Sequence, residues 1–101
     1  MAQGINNCTF IGHLGGDPEL RHAASGTAVC GFSIACSTKR GENEHTEWVR
    51  CKSFNRLAEI CSEYLKKGSS VYVRGRIQTN KWKDKNGADR QNYELLVDEM
   101  Q

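Results

Sequence analysis

Thr46-Glu47-Trp48-Val49-Arg50-Cys51-Lys52-Ser53-Phe54 alternates with the period of a β-strand. Thr46, Trp48, Arg50, Lys52 and Phe54 share one face, and Glu47, Val49, Cys51 and Ser53 share the other. Turning the aromatic face inward would bury Arg50 and Lys52 without partners, at high cost in free energy. The Val49/Cys51 face is therefore the core face, and a row of aromatics and bases looks outward. Outward Trp and Phe between cations call for a ligand or a partner.

Outward from that strand, the pattern stays mostly β. Residues 5–13 read as a first strand, ended by the turn Gly15-Gly16-Asp17-Pro18, and residues 14–27 read as a loop with at most short structure. Residues 28–38 alternate, with Ala28, Cys30, Phe32, Ile34 and Cys36 on one face and Val29, Gly31, Ser33, Ala35 and Ser37 on the other. Residues 39–44 form a polar turn. The spacing predicts one helix over 56–67, because Leu57, Ile60, Cys61, Tyr64 and Leu65 draw a single apolar stripe. Asn55 is its expected N-cap, Gly68 its C′ residue, and Lys66 and Lys67 suit the negative end of the dipole. Residues 70–83 form a long strand with Val71, Val73, Gly75 and Ile77 on one face and Tyr72, Arg74, Arg76 and Trp82 on the other. Asn86-Gly87 signals a hairpin, and the last strand, 88–98, places Tyr93, Leu95 and Val97 on one face. The order β-β-β-α-β-β, all-β with one helix, fits a five-stranded OB barrel and makes residues 1–101 a single domain.

Bulk numbers narrow the function. The chain has 101 residues and a net charge of only +2, so its charge distribution is more informative than its total. Lys66 to Arg90 holds eight bases against two acids, a local excess of six positive charges, while the last eleven residues hold three acids and no base. The five cysteines are odd in number and contain no CxxC pair, so they read as reduced core thiols of a cytoplasmic protein. No metal site or cofactor is expected. No apolar run spans a bilayer and no secretory segment opens the chain, so no membrane partner is expected.

His13, His22 and His45 lie in or beside turns, with no nucleophile and orienting acid at a recognisable spacing. The glycines at 12–16 precede no helix start, so they form no phosphate cradle. No catalytic residue is assigned and no enzyme activity is expected. The binding constellation is stronger. Trp48, Phe54 and Trp82 offer π-faces on which unpaired bases stack, and Arg50, Lys52, Arg56, Arg74, Arg76, Lys81, Lys83 and Lys85 offer cations for the phosphates between them. Trp48 also fits a protein interface, Phe54 fits packing beneath the helix, and Tyr72 fits a subunit contact.

The run Gly12-His13-Leu14-Gly15-Gly16-Asp17-Pro18-Glu19-Leu20-Arg21 resembles the opening motif of the bacterial single-stranded DNA-binding protein family. Thr46-Glu47-Trp48, Leu57-Ala58-Glu59, Glu63 to Gly68, Val71-Tyr72-Val73 with Gly75, and Lys81-Trp82 with Arg90 are similar to its later parts. The resemblance runs from about residue 4 to 101. It implies an OB fold, sequence-independent binding of single-stranded DNA in replication, recombination and repair, and stacking on Trp48, Phe54 and Trp82. It also implies a homo-oligomer, a tetramer before a dimer, with the first strand paired across a two-fold axis. Three departures stand out. Thr38-Lys39-Arg40-Gly41 lacks an aromatic that the family often carries, Val49 replaces a common His at a subunit contact, and no acidic tail follows Gln101. Without that tail, tail-mediated replication and repair partners are not expected. Two rival readings remain: a tailless, primosome-type OB protein acting in replication restart, and an assembly subunit whose aromatic face meets protein.

Overall fold

The computed structural model describes residues 4–101. Its elements are β1 (Cys8–Leu14), β2 (Glu19–His22), β3 (Ala28–Arg40), β4 (Asn43–Phe54), α1 (Asn55–Tyr64), β5 (Ser70–Lys83) and β6 (Asp89–Met100). Five strands close into a barrel in the order β1-β5-β6-β4-β3, and β1 returns to β3 at His13↔Ala35 and Leu14↔Ile34. The parallel contact of β4 with β6 is confined to Cys51↔Leu95 and Lys52↔Leu96. This closed barrel, with one helix between its third and fourth barrel strands, is the expected OB fold. The short β2 lies outside the closure, added to β3 within the segment read as loop.

Alternation holds where strands are flanked on both sides. Ala28, Cys30, Phe32 and Ile34 of β3, Cys51 and Ser53 of β4, and Val71 and Val73 of β5 all point into the core. The five cysteines are free, and Cys30, Cys51 and Cys61 are buried. Burial pushes the Cys51 thiol up to about 12, with Cys36 and Cys61 nearby adding to the effect. It pushes Cys30 up to about 11. Gly75 marks a very close backbone approach, because a β-carbon there would run into the Leu96 carbonyl oxygen. Next to it the register slips, with Arg74 opposite Glu99 but Gly75 opposite Val97.

Several boundaries differ from the sequence reading. Residues 5–7 are not strand; instead Asn6 donates from Nδ2 to the Ile77 carbonyl at 2.8 Å and accepts from the Ile77 N–H at 3.0 Å. Its side-chain amide thus does the work of a ladder peptide. The polar turn shrinks to Gly41-Glu42, because β3 and β4 stay paired through Arg40↔Asn43. The helix is shorter than expected. Phe54 holds the N-cap position without a side-chain hydrogen bond, and Asn55 adopts φ +59°, a left-handed backbone that Asn tolerates. At the other end the Lys66 N–H donates to Ser69 Oγ and the Lys67 N–H to Asp17 Oδ1. Loop side chains take up those amides, so the helix stops at Tyr64 and Gly68 serves the following turn at φ +88°. Tyr64 leaves the expected apolar stripe and is exposed, while Leu65, freed from helical geometry, packs on the core. Tyr93 alternates with Leu95 and Val97 as expected but, unlike them, is exposed. Tyr93 lies before the Cys51↔Leu95 and Lys52↔Leu96 pairs by which β4 borders β6, so among the described residues β5 is its only neighbouring strand.

Candidate nucleic-acid interface

On β3, the outward residues opposite Trp48, Arg50 and Lys52 are all small. Ala35 stands opposite Trp48, Ser33 opposite Arg50 and Gly31 opposite Lys52. The long side chains of β4 therefore border an open floor. A cleft of about 750 Å³ results, walled by Trp48, Arg50 and Lys52 on one side and by Asn80 and Trp82 of β5 with Asn92 and Glu94 of β6 on the other. Its third wall is the β1–β2 connection, Gly15 to Asp17, with Glu19 and Arg21 of β2. Trp48 is 60 % exposed and Trp82 47 %. Two indoles from strands far apart in sequence thus open onto one groove, and the turn residue Gly15 makes room for the Trp48 ring.

The groove itself is nearly balanced in charge. Arg21, Arg50 and Lys52 face Asp17, Glu19 and Glu94, and Lys52 Nζ lies 3.2 Å from Glu94 Oε1. The excess positive charge sits on the neighbouring β5–β6 hairpin. There Lys81 and Lys85 have no acidic partner among the described residues, and Lys83 is loosely paired with Asp89 at 3.7 Å. The hairpin tip is held by Asp84, which accepts from the Asn86 and Ala88 N–H groups and from Arg90 Nε. Arg90 and these amides hold the Asp84 carboxyl below its ordinary value.

The remaining sequence-assigned residues fall elsewhere. Phe54 is exposed at the end of β4, opposite Val29, and Arg56 on α1 donates to Glu59 at 3.3 Å. Arg74 and Arg76 do not reach the groove. Arg74 donates from Nε and Nη2 to Glu99 Oε2 at 3.1 and 2.9 Å, and Glu99 raises its pKa further. Arg76 pairs with Asp98 at 3.5 Å. Sequence reading missed Arg21, Asn80 and Asn92. Asn80 and Asn92 are directly cross-strand and share a 3.3 Å side-chain bond; a two-residue turn at Asn86-Gly87 would have set Tyr93 opposite Asn80, and the three-residue loop Lys85 to Gly87 shifts the register by one. Arg21 sits on a four-residue strand too short to show a period.

Among the described residues, no cluster of three or more His, Cys, Asp or Glu side chains is placed to hold a metal. No helix is long and apolar enough to cross a membrane.

A closed OB barrel with an aromatic-walled groove on its strands and a basic arm beside it defines a class: the OB-fold proteins, whose fold binds oligonucleotides and oligosaccharides. The model of the single-strand binding protein family matches residues 5–101. The chain belongs to that family, whose members bind single-stranded DNA and typically oligomerise.

Proposed function

We propose that the chain binds single-stranded DNA without base preference and coats it during replication, recombination and repair, as a binding protein with no catalytic step. The observation that carries this is the groove itself. Trp48 and Trp82 flank one open floor of small side chains. Stacking on such rings tolerates any base, because every base has a π-face. Arg50, Lys52 and Arg21 contact the phosphates that pass through the groove, and Lys81, Lys83 and Lys85 attract the strand to its rim. Phe54 and Arg56 continue the path past the end of β4. Arg74 and Arg76, committed to Glu99 and Asp98, act in holding β5 to β6.

Assembly as a homotetramer, with a dimer as the smaller form, belongs to the same reading. Along Cys8 to Gly12, among the described residues, β1 is paired on one edge, to β5, and Ile11 on that strand is largely exposed. A second copy would cover this edge. Five free thiols suit a reducing cytoplasm.

The test is titration of the protein with an oligothymidine, following Trp fluorescence at two salt concentrations. Strong quenching with affinity that falls as salt rises is expected. No quenching and no binding would overturn the reading and turn the aromatic face into a protein interface.

A further inference from the structure

The third wall of the groove is held from outside the groove. At the end of β1 the Leu14 N–H donates to the Ser69 carbonyl at 3.0 Å, and the Leu14 carbonyl accepts from the Gly68 N–H at 2.9 Å. The Gly15 N–H donates to the Ser33 carbonyl at 3.1 Å, and the Trp48 ring lies against Gly15. Pairing resumes at Glu19, opposite Gly31. Between those pinned points run Gly16, Asp17 and Pro18. Glycine has the freest backbone of any residue, and proline has no N–H to give. Among the described residues, neither Gly16 nor Asp17 takes part in a main-chain to main-chain hydrogen bond, and a β-carbon on Gly16 would meet open space. What holds the span is a side chain: Asp17 Oδ1 accepts the Lys67 N–H at 2.9 Å, across fifty residues of sequence. Asp17 also lines the groove, where by charge alone a carboxylate is out of place beside a passing phosphate chain.

We infer that Asp17 is a positioning residue for base stacking: its bond to the Lys67 amide fixes the turn on which the Trp48 ring rests, and so fixes the ring at the groove wall. The inference rests on the groove reading above and deepens it. Two opposed effects meet in this one side chain. As an anion in the groove that holds Arg21 and Arg50, Asp17 weakens the attraction for phosphate. As an acceptor, it removes the freedom of a Gly-Gly turn, so the ring is ordered before a strand arrives and binding bears less of that cost. The donor is free for this use because α1 ends at Tyr64, which leaves the Lys67 N–H without a helical partner. The acceptor oxygen, and not the charge, is what the groove needs from residue 17.

The experiment separates the two effects by substitution. Asp17→Asn keeps an acceptor oxygen and loses the charge, Asp17→Ala loses both, and Asp17→Glu keeps the charge but sets the acceptor one methylene away. Affinity for a labelled oligothymidine is read by anisotropy in the otherwise unaltered chain. Ring placement is read from emission in a Trp82→Phe background, where Trp48 is the single tryptophan. Thermal melting is run on each variant. Asp17→Asn is expected to bind at least as tightly as wild type, with Trp48 emission unchanged. Asp17→Ala is expected to bind about fivefold more weakly than Asp17→Asn, the loss of one hydrogen bond, with shifted Trp48 emission and a similar melting temperature. Asp17→Glu should shift the emission as well, and it carries the test if the alanine variant does not fold. Asparagine and alanine variants alike in affinity and emission, with wild type binding, would overturn this inference and leave the groove standing. Weaker binding by Asp17→Ala that tracks a lowered melting temperature, with emission unchanged, would make the bond a contact of the fold alone and overturn it too. Failure of wild type to bind the oligothymidine would overturn the groove reading, and this one with it.

Discussion

The ring of Trp48 lies against the backbone of Gly15: a β-carbon on Gly15 would stand 2.5 Å from Cζ3 and 2.9 Å from Cη2. The turn after β1 and the middle of β4 are thus fitted to each other, and the absent side chain at 15 sets where the indole rests.

Gly15→Ala is therefore expected to move the Trp48 ring and leave the barrel intact. The emission of the protein would shift and its affinity for an oligothymidine would fall, while the melting temperature changed little, since Gly15 lies in an exposed turn. Unchanged emission together with unchanged affinity would show that the ring does not depend on this contact.

Trp48→Ala and Trp82→Ala each remove one stacking surface. Each is expected to weaken oligothymidine binding by about 1–3 kcal/mol, a range typical of single-strand binding proteins as a class. Because the two rings flank one groove, the double variant should lose most fluorescence-independent binding, as read by filter retention or anisotropy of a labelled oligomer.

The two kinds of arginine should separate cleanly. Arg50 lines the groove with no acidic partner among the described residues, whereas Arg74 donates twice to Glu99. Arg50→Ala is expected to lower affinity uniformly across sequences and reduce the salt slope by about one. Arg74→Ala should leave both quantities near wild type. The salt dependence of binding for the two variants checks this.

Gly75→Ala is expected to destabilise the barrel by about 2–3 kcal/mol, because the added carbon meets a main-chain oxygen that no rotamer change can move. Denaturant unfolding would show it as a lower midpoint. A midpoint equal to wild type would mean that β5 and β6 can part at the register slip without cost.

The hairpin tip should respond to acid. The Asp84 carboxyl is held below its ordinary value of 3.8, first by Arg90 and then by the Ala88 amide. A depressed folded pKa contributes stability that is present above the unfolded value and lost as pH falls through the folded one. The Asn86 and Ala88 amide resonances should therefore hold steady above about pH 4 and shift only below it. Asp84→Asn should abolish that acid transition.

What the sequence by itself determined was the β-β-β-α-β-β order and which face of each flanked strand turns inward. Period-two alternation is a local property, and Arg50 and Lys52 could not be buried beside Trp48 and Phe54 without partners. The outward Trp48 and Trp82 followed directly. Tertiary structure decided what alternation cannot encode. Whether Tyr93 is buried depends on which elements barrel closure brings to it, and among the described residues β4 borders β6 only at Leu95 and Leu96, leaving Tyr93 exposed. Whether Arg74 is free for phosphate depends on Glu99, twenty-five residues away and brought opposite by the register of β6. The helix length was set by Asp17 and Ser69, which capture amides the helix would otherwise have used. In each case the deciding partner comes from another element, so the physical cause lies in the closure of the barrel and outside any window of sequence.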